Sequence, residues 1–199
     1  MRIIAVLIWM YATCVSALPA HNQLIQKIEH IQNISADFHQ VVSMNGRQTA
    51  SSSGHFELSR PARMRWTTSK PTQQILVADG QYIWVYEPAL QQATKRLQKH
   101  GVTGTAGLFL SAKPNLWVQA YQVTKLTDEV FALKAKNPQR SIRQMVLRFK
   151  HDVLYQIECW DQLGQYSQIS LVHPKVNQYI NASAFSLHLP RHVDVIDLG

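Results

Sequence analysis

The side chains that could bind a metal or transfer a proton are spread along this sequence and form no recognisable motif. There are nine histidines and two cysteines among the 199 residues. His188 and His192 stand four apart, the spacing that places two ligands on one helix face, but Pro190 lies between them and would break that helix. We therefore predict neither a metal site nor a cofactor.

Motifs for nucleophilic or phosphate chemistry are missing as well. The sequence has no G-x-S-x-G elbow, and no glycine-rich phosphate loop precedes a helix. The 12 acidic residues form no pair whose context suggests acid–base catalysis. The sequence thus gives no positive support for an enzyme.

The N-terminal segment is typical of a secretory signal peptide. Arg2 precedes an apolar run over residues 3–15, and small residues follow it up to Ala17. The run is shorter than the about 20 apolar residues of a transmembrane helix. We expect cleavage after Ala17, with Ala20 as a poorer second option.

Cleavage after Ala17 would leave residues 18–199 as a single domain.

Cys14 could carry a lipid anchor only within a lipoprotein signal, which needs a leucine-like residue three positions earlier and a small residue directly before the cysteine. Tyr11 and Thr13 occupy those positions, so we predict no anchor. Cys159 is more typical of a packed small hydrophobe than of a reactive thiol.

The basic balance of the chain does not predict nucleic-acid binding. The formal net charge is +8, and only 16% of residues are charged. Apart from Arg60, Arg63, Arg65 and residues 95–96 the basic residues are scattered, and the tryptophans sit in strand patterns. We predict a solvated basic surface that an anionic membrane or an acidic partner could attract.

Residues 54–94 contain the clearest strand signals. Phe56 alternates with its neighbours up to Leu58, and the same alternation recurs at Met64 and Trp66 beyond a break at residues 60–61. Asp79-Gly80 then joins two runs rich in β-branched and aromatic residues, which predicts a hairpin.

The second run of this hairpin is apolar on both faces. Tyr82, Trp84 and Tyr86 would point to one face, and Ile83 and Val85 to the other. An ordinary antiparallel sheet has one apolar and one wetted face. Both faces should therefore be covered, by a helix, a closed core or a hollow.

The other predicted elements complete a mainly β protein. We predict about ten or eleven antiparallel strands in one large curved sheet or open barrel, with helices attached. In chain order the further predictions are a helix at 20–33, a strand at 35–42, a turn at 45–46, a polar loop or frayed strand at 48–53, a segment poor in β-branched residues at 88–99, a mobile loop leading to a short helix at 106–112, which is either a lid or a plain connector, and strands at 121–125, 130–135, 142–150, 154–160, 166–172 and 184–189.

Several of these stretches together resemble the periplasmic outer-membrane lipoprotein carrier family, LolA. The similarity covers nearly the whole chain after the signal peptide. It is carried by residues 35–40, by residues 54–66 with Arg60-Pro61, by Pro71, by the Asp79-Gly80 hairpin at 75–86, and by residues 91–94 and 185–195.

The resemblance implies an unclosed β-barrel with a helical lid over a hydrophobic cavity. It further implies a monomeric periplasmic carrier that takes triacylated lipoproteins from an inner-membrane ABC transporter and passes them to an outer-membrane receptor lipoprotein. We expect the cavity to be lined by Phe38, Phe56, Leu58, Met64, Trp66, Leu76 and Trp84, with Leu108 and Phe109 on the lid.

Arg60 matches the family's gating arginine. The resemblance implies that it hydrogen-bonds backbone carbonyls near Ser111 and Ala112 when the cavity is empty; alternatively it only fixes the turn beside Pro61. Three other functions stay open: a lipid-anchored receptor of the same fold, which needs an acylated Cys14; a periplasmic lipid-processing enzyme, which needs a nucleophile and a base; and a basic scaffold with a filled core.

Overall fold

The computed structural model describes residues 18–98 and 118–199. The predicted signal peptide and the predicted helix at 106–112 therefore lie outside the described residues. The regular elements are α1 (Ala20–His30), β1 (Asn33–Met44), β2 (Arg47–Ser59), β3 (Arg63–Lys70), β4 (Gln74–Asp79), β5 (Tyr82–Glu87), β6 (Gln92–Leu97), β7 (Tyr121–Thr127), β8 (Val130–Ala135), β9 (Ile142–Lys150), β10 (Val153–Asp161), β11 (Gln165–Val176) and β12 (Asp194–Asp197), with 3-10 helices at Pro88–Leu90 and Ala182–Phe185.

All of these strands belong to one 12-stranded sheet. Its order is β12-β6-β5-β4-β3-β2-β1-β11-β10-β9-β8-β7, so β12 and β7 form its two edges and the sheet does not close on itself. Neighbouring strands are antiparallel except β12, which runs parallel to β6. The predicted mainly β, unclosed architecture is confirmed, with one or two more strands than predicted.

α1 packs its apolar stripe against the sheet. Leu24 and Ile28 are one turn apart and both buried, as the sequence pattern predicts. Between them Lys27 lies with its Nζ 5.5 Å from the ring centre of Phe149 on β9. The helix starts where predicted but ends at His30, because Ile31 is already extended (φ −88°, ψ 94°) and leads into β1.

The hairpins of the first half form around the predicted turns. Asn45 and Gly46 have positive φ values of 52° and 74° and join β1 to β2, and Gly80, with φ 103°, follows β4. Of the two alternatives for residues 48–53, the polar loop is wrong and the start of the next strand is confirmed: these residues belong to β2 and pair with β1, with a register shift between Val42 and Ser43.

The C-terminal prediction is also wrong. The strand expected at 184–189 is replaced by the 3-10 helix Ala182–Phe185, where the Asn181 side chain accepts a hydrogen bond from the backbone of Ser183. The last strand is β12, and it pairs with β6 in the segment that looked unlike a strand. β12 is only four residues long and lies at the sheet edge, so its pairing with β6 is decided by the tertiary fold more than by local β propensity.

The sheet has two different faces. We define the inner face as the one that packs against α1 and the outer face as the opposite one. The inner face and α1 share one continuous core, whose fully buried large side chains include Leu24, Ile34, Phe38, Phe56, Met64, Ile83, Phe131, Leu133, Met145, Leu147, Phe149 and Ile157.

Candidate functional site

Six of the predicted cavity residues lie together on the inner face. Cross-strand pairing aligns Phe56 with Trp66 and then Leu76, and in the next row Leu58 with Met64. Phe38 joins them from β1, where Gly54 is its partner on β2. The alternation seen in the sequence is thus confirmed, and register turns it into one apolar surface across four strands.

An aromatic cluster lies at the centre of this surface. The ring centre of Trp66 is 4.1 Å from that of Phe38 and 5.6 Å from that of Phe56, in both cases with tilted planes. Gly54 makes this packing possible, because a Cβ there would lie 1.9 Å from the backbone oxygen of Thr67 and 2.9 Å from the Phe38 ring. The sequence did not reveal this requirement.

The surface becomes more accessible towards β4. Phe56 and Met64 are completely buried, Trp66 is 9% exposed, and Leu76 is partly buried. Leu24 and Ile28 of α1 belong to the same cluster. An incoming apolar ligand would therefore contact Trp66 and Leu76 first, and would reach Phe56 only if the packed side chains separate.

Trp84 is not part of this surface. Val77 pairs with Trp84, whereas Leu76 pairs with Val85, so Trp84 projects from the outer face. There its Nε1 donates to Asp79 Oδ2 at 3.2 Å, and Lys95 Nζ lies 5.6 Å from its ring centre. Placing Trp84 in the cavity was a wrong prediction: alternation separates two faces but does not say which one meets the core.

Arg60 connects the end of α1 to the turn between β2 and β3. Its Nε donates to the backbone oxygen of Ile31 at 2.9 Å, and its backbone N donates to Gln32 at the same distance. Burial lowers the pKa of Arg60 from its usual value, and Glu29 opposes the shift. A cation at a helix C-terminus also complements the helix dipole. The expected partners near Ser111 and Ala112, and the lid residues Leu108 and Phe109, lie outside the described residues.

The outer face carries a relay of three polar residues that sequence reasoning missed. Ser35 Oγ lies 3.0 Å from Nε2 of His55, and His55 Nδ1 lies 2.7 Å from Asp37 Oδ1. These atoms match the order of a serine–histidine–aspartate triad. However, the His55 and Asp37 side chains are 46% and 64% exposed, so the three groups lie on an open surface and not in a substrate pocket.

A second polar group occupies the outer face of β9 and β10. Arg148 Nε donates to Glu158 Oε1 at 2.7 Å, and Gln156 Nε2 donates to the same oxygen at 3.1 Å. Glu158 is only 9% exposed. Its hydrogen bond and its charge raise the pKa of Arg148. Burial of a charged carboxylate costs free energy unless hydrogen bonds and a counter-charge compensate it, so the burial of Glu158 depends on Arg148 and Gln156.

Cys159, next to Glu158 but on the inner face, is buried, as the sequence analysis expected. It pairs with Met145 on β9 and Ser167 on β11 and belongs to the core. Burial raises the pKa of the Cys159 thiol to about 12, with a smaller contribution from the charge of Glu158. The thiol is therefore a packing group at neutral pH.

Within residues 18–98 and 118–199, no three histidine, cysteine or acidic side chains lie close enough to hold a metal ion. Over the same ranges, no helix has the length and apolar character needed to cross a membrane.

Comparisons with known proteins agree with the geometry. The family model for the outer membrane lipoprotein carrier protein LolA matches residues 29–188. An outer-membrane lipoprotein carrier protein of Legionella pneumophila (strain Lens) is 36% identical over 200 residues, 98% of each chain. One from Chromohalobacter salexigens is 31% identical over 181 residues, 89% of this chain and 86% of the relative. Among solved structures, an uncharacterized conserved protein from Thermus thermophilus aligns with a TM-score of 0.55 over 89% of this chain and 98% of its own, at 11% identity, which supports the fold alone.

Proposed function

Since the chain belongs to the outer-membrane lipoprotein carrier family, LolA, we propose that it carries lipoproteins by enclosing their acyl chains against the inner face. The observation that supports this most directly is the continuous apolar surface around Phe38, Phe56 and Trp66 on a sheet that does not close. Apolar burial is non-directional, so one surface accepts chains of different lengths.

The proposed cargo is a triacylated lipoprotein that crosses the periplasm. Burial of an acyl chain contributes about 0.8 kcal/mol per CH₂, which amounts to roughly 30 kcal/mol for three long chains. Spontaneous release from a membrane would be too slow, so we propose an ATP-driven inner-membrane transporter as donor and an outer-membrane receptor lipoprotein as acceptor. The carrier then needs an apolar container whose own affinity is moderate.

Two adjacent residues of β4 provide the test of cargo binding. Leu76 lies on the inner face and Ile75 on the outer face, and both are partly buried. Leu76→Glu places a charge where acyl chains would lie, and Ile75→Glu is the matched control. Native mass spectrometry of protein purified from the periplasm should show lipoprotein on wild type and Ile75→Glu, and at least tenfold less on Leu76→Glu. Equal occupancy in the two variants would contradict the inner-face site.

Arg60 is proposed to regulate opening of the container. It holds the C-terminal end of α1 to the β2–β3 turn, so its loss would loosen the covering of the inner face. Arg60→Leu should still load cargo but deliver it to receptor-containing vesicles more slowly. Exposed Arg63, three residues away, supplies the control Arg63→Leu. If Arg60→Leu transfers cargo at the wild-type rate, the gate assignment fails.

Export with cleavage after Ala17 also fits the start of α1. Gln23 Nε2 donates to the backbone oxygen of Leu18 at 2.6 Å, and Pro19 accepts from the backbone of Asn22 and Gln23. Cleavage after Ala20 would remove all three bonds. The intact mass of the periplasmic protein should correspond to a chain that begins at Leu18, whereas an acylated Cys14 would indicate the membrane-anchored receptor.

A further inference from the structure

The outer face contains a cationic pocket at the far half of the sheet from the aromatic cluster. Its volume is about 290 Å³. The lining residues come from β8, β9 and the segments that follow β8 and β10, namely Lys134, Ala135, Pro138, Arg143, Gln144 and Gln162. The set contains two cations, two amides and no carboxylate.

A β-bulge brings the two β9 residues to the same side. Trp160 pairs with Gln144, but the next residue, Asp161, pairs with Ile142, so β9 has one extra residue at this point. Ile142 and Met145 are both buried, and the two residues between them are both exposed. A regular strand would have turned one of them to the core, so the bulge is what aims Arg143 and Gln144 together outward.

The wall of the pocket is fastened by hydrogen bonds. Lys134 lies directly opposite Gln144 in the β8–β9 register. Gln162 holds the segment between β8 and β9: its backbone N donates to Ser141 at 3.1 Å, and its Nε2 donates to the carbonyls of Pro138 and, at 2.8 Å, Arg140. The lining groups therefore sit on a fixed frame.

The contacts of Lys134 and Arg143 differ from those of the cations beside them. Lys136 Nζ donates to the backbone oxygen of Val118 at 2.9 Å, and the Arg140 guanidinium lies 5.4 Å from the ring centre of Tyr121. By contrast, the side chains of Lys134 and Arg143 form no ion pair, hydrogen bond or ring contact with any residue in the described part of the chain. Two cations without a counter-charge among the described residues thus face one pocket.

We propose that this pocket binds a phosphate group, either on a lipid head group or on a small soluble phosphate ester. Arginine offers a planar fork of donors for phosphate oxygens and lysine a mobile point charge, and glutamine amides can complete the coordination. The volume accommodates a phosphate with an attached glycerol. Because both cations are exposed, binding should be weak and salt-dependent. For a lipid head group, it would place the outer face against an anionic membrane.

The test compares two charge-matched double variants of the purified, unloaded protein. Lys134→Gln/Arg143→Gln removes the pocket cations, and Arg47→Gln/Lys150→Gln removes an exposed arginine and lysine elsewhere. Each protein is titrated with glycerol 3-phosphate by NMR and sedimented with vesicles of phosphatidylglycerol in phosphatidylcholine. At about 1 kcal/mol per cation near a membrane, vesicle binding should fall roughly 30-fold in the pocket variant.

Each outcome decides the proposal. Loss of vesicle binding in the pocket variant, with at most a few-fold change in the control, supports a lipid head group. Glycerol 3-phosphate shifts confined to the pocket residues, without vesicle binding, support a soluble phosphate ester. If neither probe binds, or if both double variants lose binding equally, no phosphate site exists there. Because cargo is absent from the assay, this result is independent of lipoprotein carriage.

Discussion

The two faces of the β1–β2 hairpin use opposite kinds of interaction within the same few residues. On the inner side, Phe38 packs on Trp66 with ring centres 4.1 Å apart and is 2% exposed. On the outer side its neighbour Asp37 bonds His55 at 2.7 Å, and both side chains are about half exposed or more. The backbone is common to both, so the difference lies in the side chains alone.

This contrast explains how the sheet can carry a cargo and remain folded. Inner-face contacts depend on area and shape, so acyl chains can replace some of them without leaving polar groups unpaired. Outer-face contacts such as Asp37–His55 are directional pairs in solvent, each worth little, but a ligand does not have to displace them. Stability should therefore be concentrated on the inner face, and its substitution should cost most.

Gly54→Ala should give the largest loss of stability. The added Cβ would lie 1.9 Å from the backbone oxygen of Thr67, an approach that only a shift of β3 could relieve. We expect a loss of roughly 3–5 kcal/mol in the free energy of unfolding, at the upper end for single substitutions. Urea unfolding measures it. Ser53→Ala, one residue away, is the control, and equal midpoints for the two variants would contradict the tight approach.

Arg148→Met should have the next largest effect, since it tests the most buried polar pair of the outer face. Methionine keeps the apolar stem but leaves Glu158 with Gln156 as its remaining side-chain donor among the described residues. We expect a loss of about 2 kcal/mol, the cost of an under-satisfied buried carboxylate. Lys150→Met on the same strand should change stability by less than about 0.5 kcal/mol. If Lys150→Met costs as much, loss of general charge would explain the result.

The pH dependence of the unfolding free energy should report the burial of Cys159 on the inner face. Its folded-state pKa of about 12 lies above the value of about 8.5 for an unfolded thiol, so the neutral form stabilises the fold. That contribution is complete below about pH 8.5 and is lost as the pH rises towards 12. At pH 10 the unfolding free energy should be roughly 2 kcal/mol lower than at pH 8 from this group alone.

The Cys159→Ala variant is the control for this pH effect, because subtracting its unfolding free energy from that of wild type isolates the contribution of the thiol. It retains the other groups that titrate in alkali, including Tyr121 and Tyr166, whose pKa values are raised mainly by burial. The difference between wild type and variant should therefore shrink as the pH rises from 8 to 10. A difference that stays constant would mean that the thiol is solvated in the fold.

Regular alternation made the inner face predictable. Phe56, Leu58, Met64 and Trp66 follow a period of two, and the Asp79-Gly80 turn fixes the register of the next hairpin. The prediction for Trp84 failed because both faces of β5 are apolar, so no pattern distinguishes inside from outside. β12 was not predicted because it is a short edge strand whose extended conformation depends on its pairing with β6.

Two arrangements on the outer face could not be predicted from the sequence because each depends on a β-bulge. Continuing the pairing of Met44 with Arg47 without interruption would place Asp37 opposite Gly54, and His55 opposite Ala36. The register shift between Val42 and Ser43 moves the pairing by one residue, so that Asp37 meets His55. Position and size of such a bulge depend on the packing of the whole sheet. The bulge in β9 likewise depends on the packing of the sheet, so the sequence does not predict that Arg143 and Gln144 are both exposed on the same face.

Ser35→Ala should have the smallest effect, although it removes a member of an apparent catalytic triad. The Ser35–His55 bond is exposed, so water replaces it and the unfolding free energy should change by less than about 0.5 kcal/mol. Ser35 should also fail to react with a fluorophosphonate, because His55 and Asp37 lie on an open surface, where solvent screens their interaction and no pocket orients a reactive group. A serine hydrolase labelled in parallel is the control. Labelling of Ser35 that disappears in His55→Ala would overturn this view, since it would show that three correctly ordered side chains suffice for a reactive nucleophile on an open sheet face.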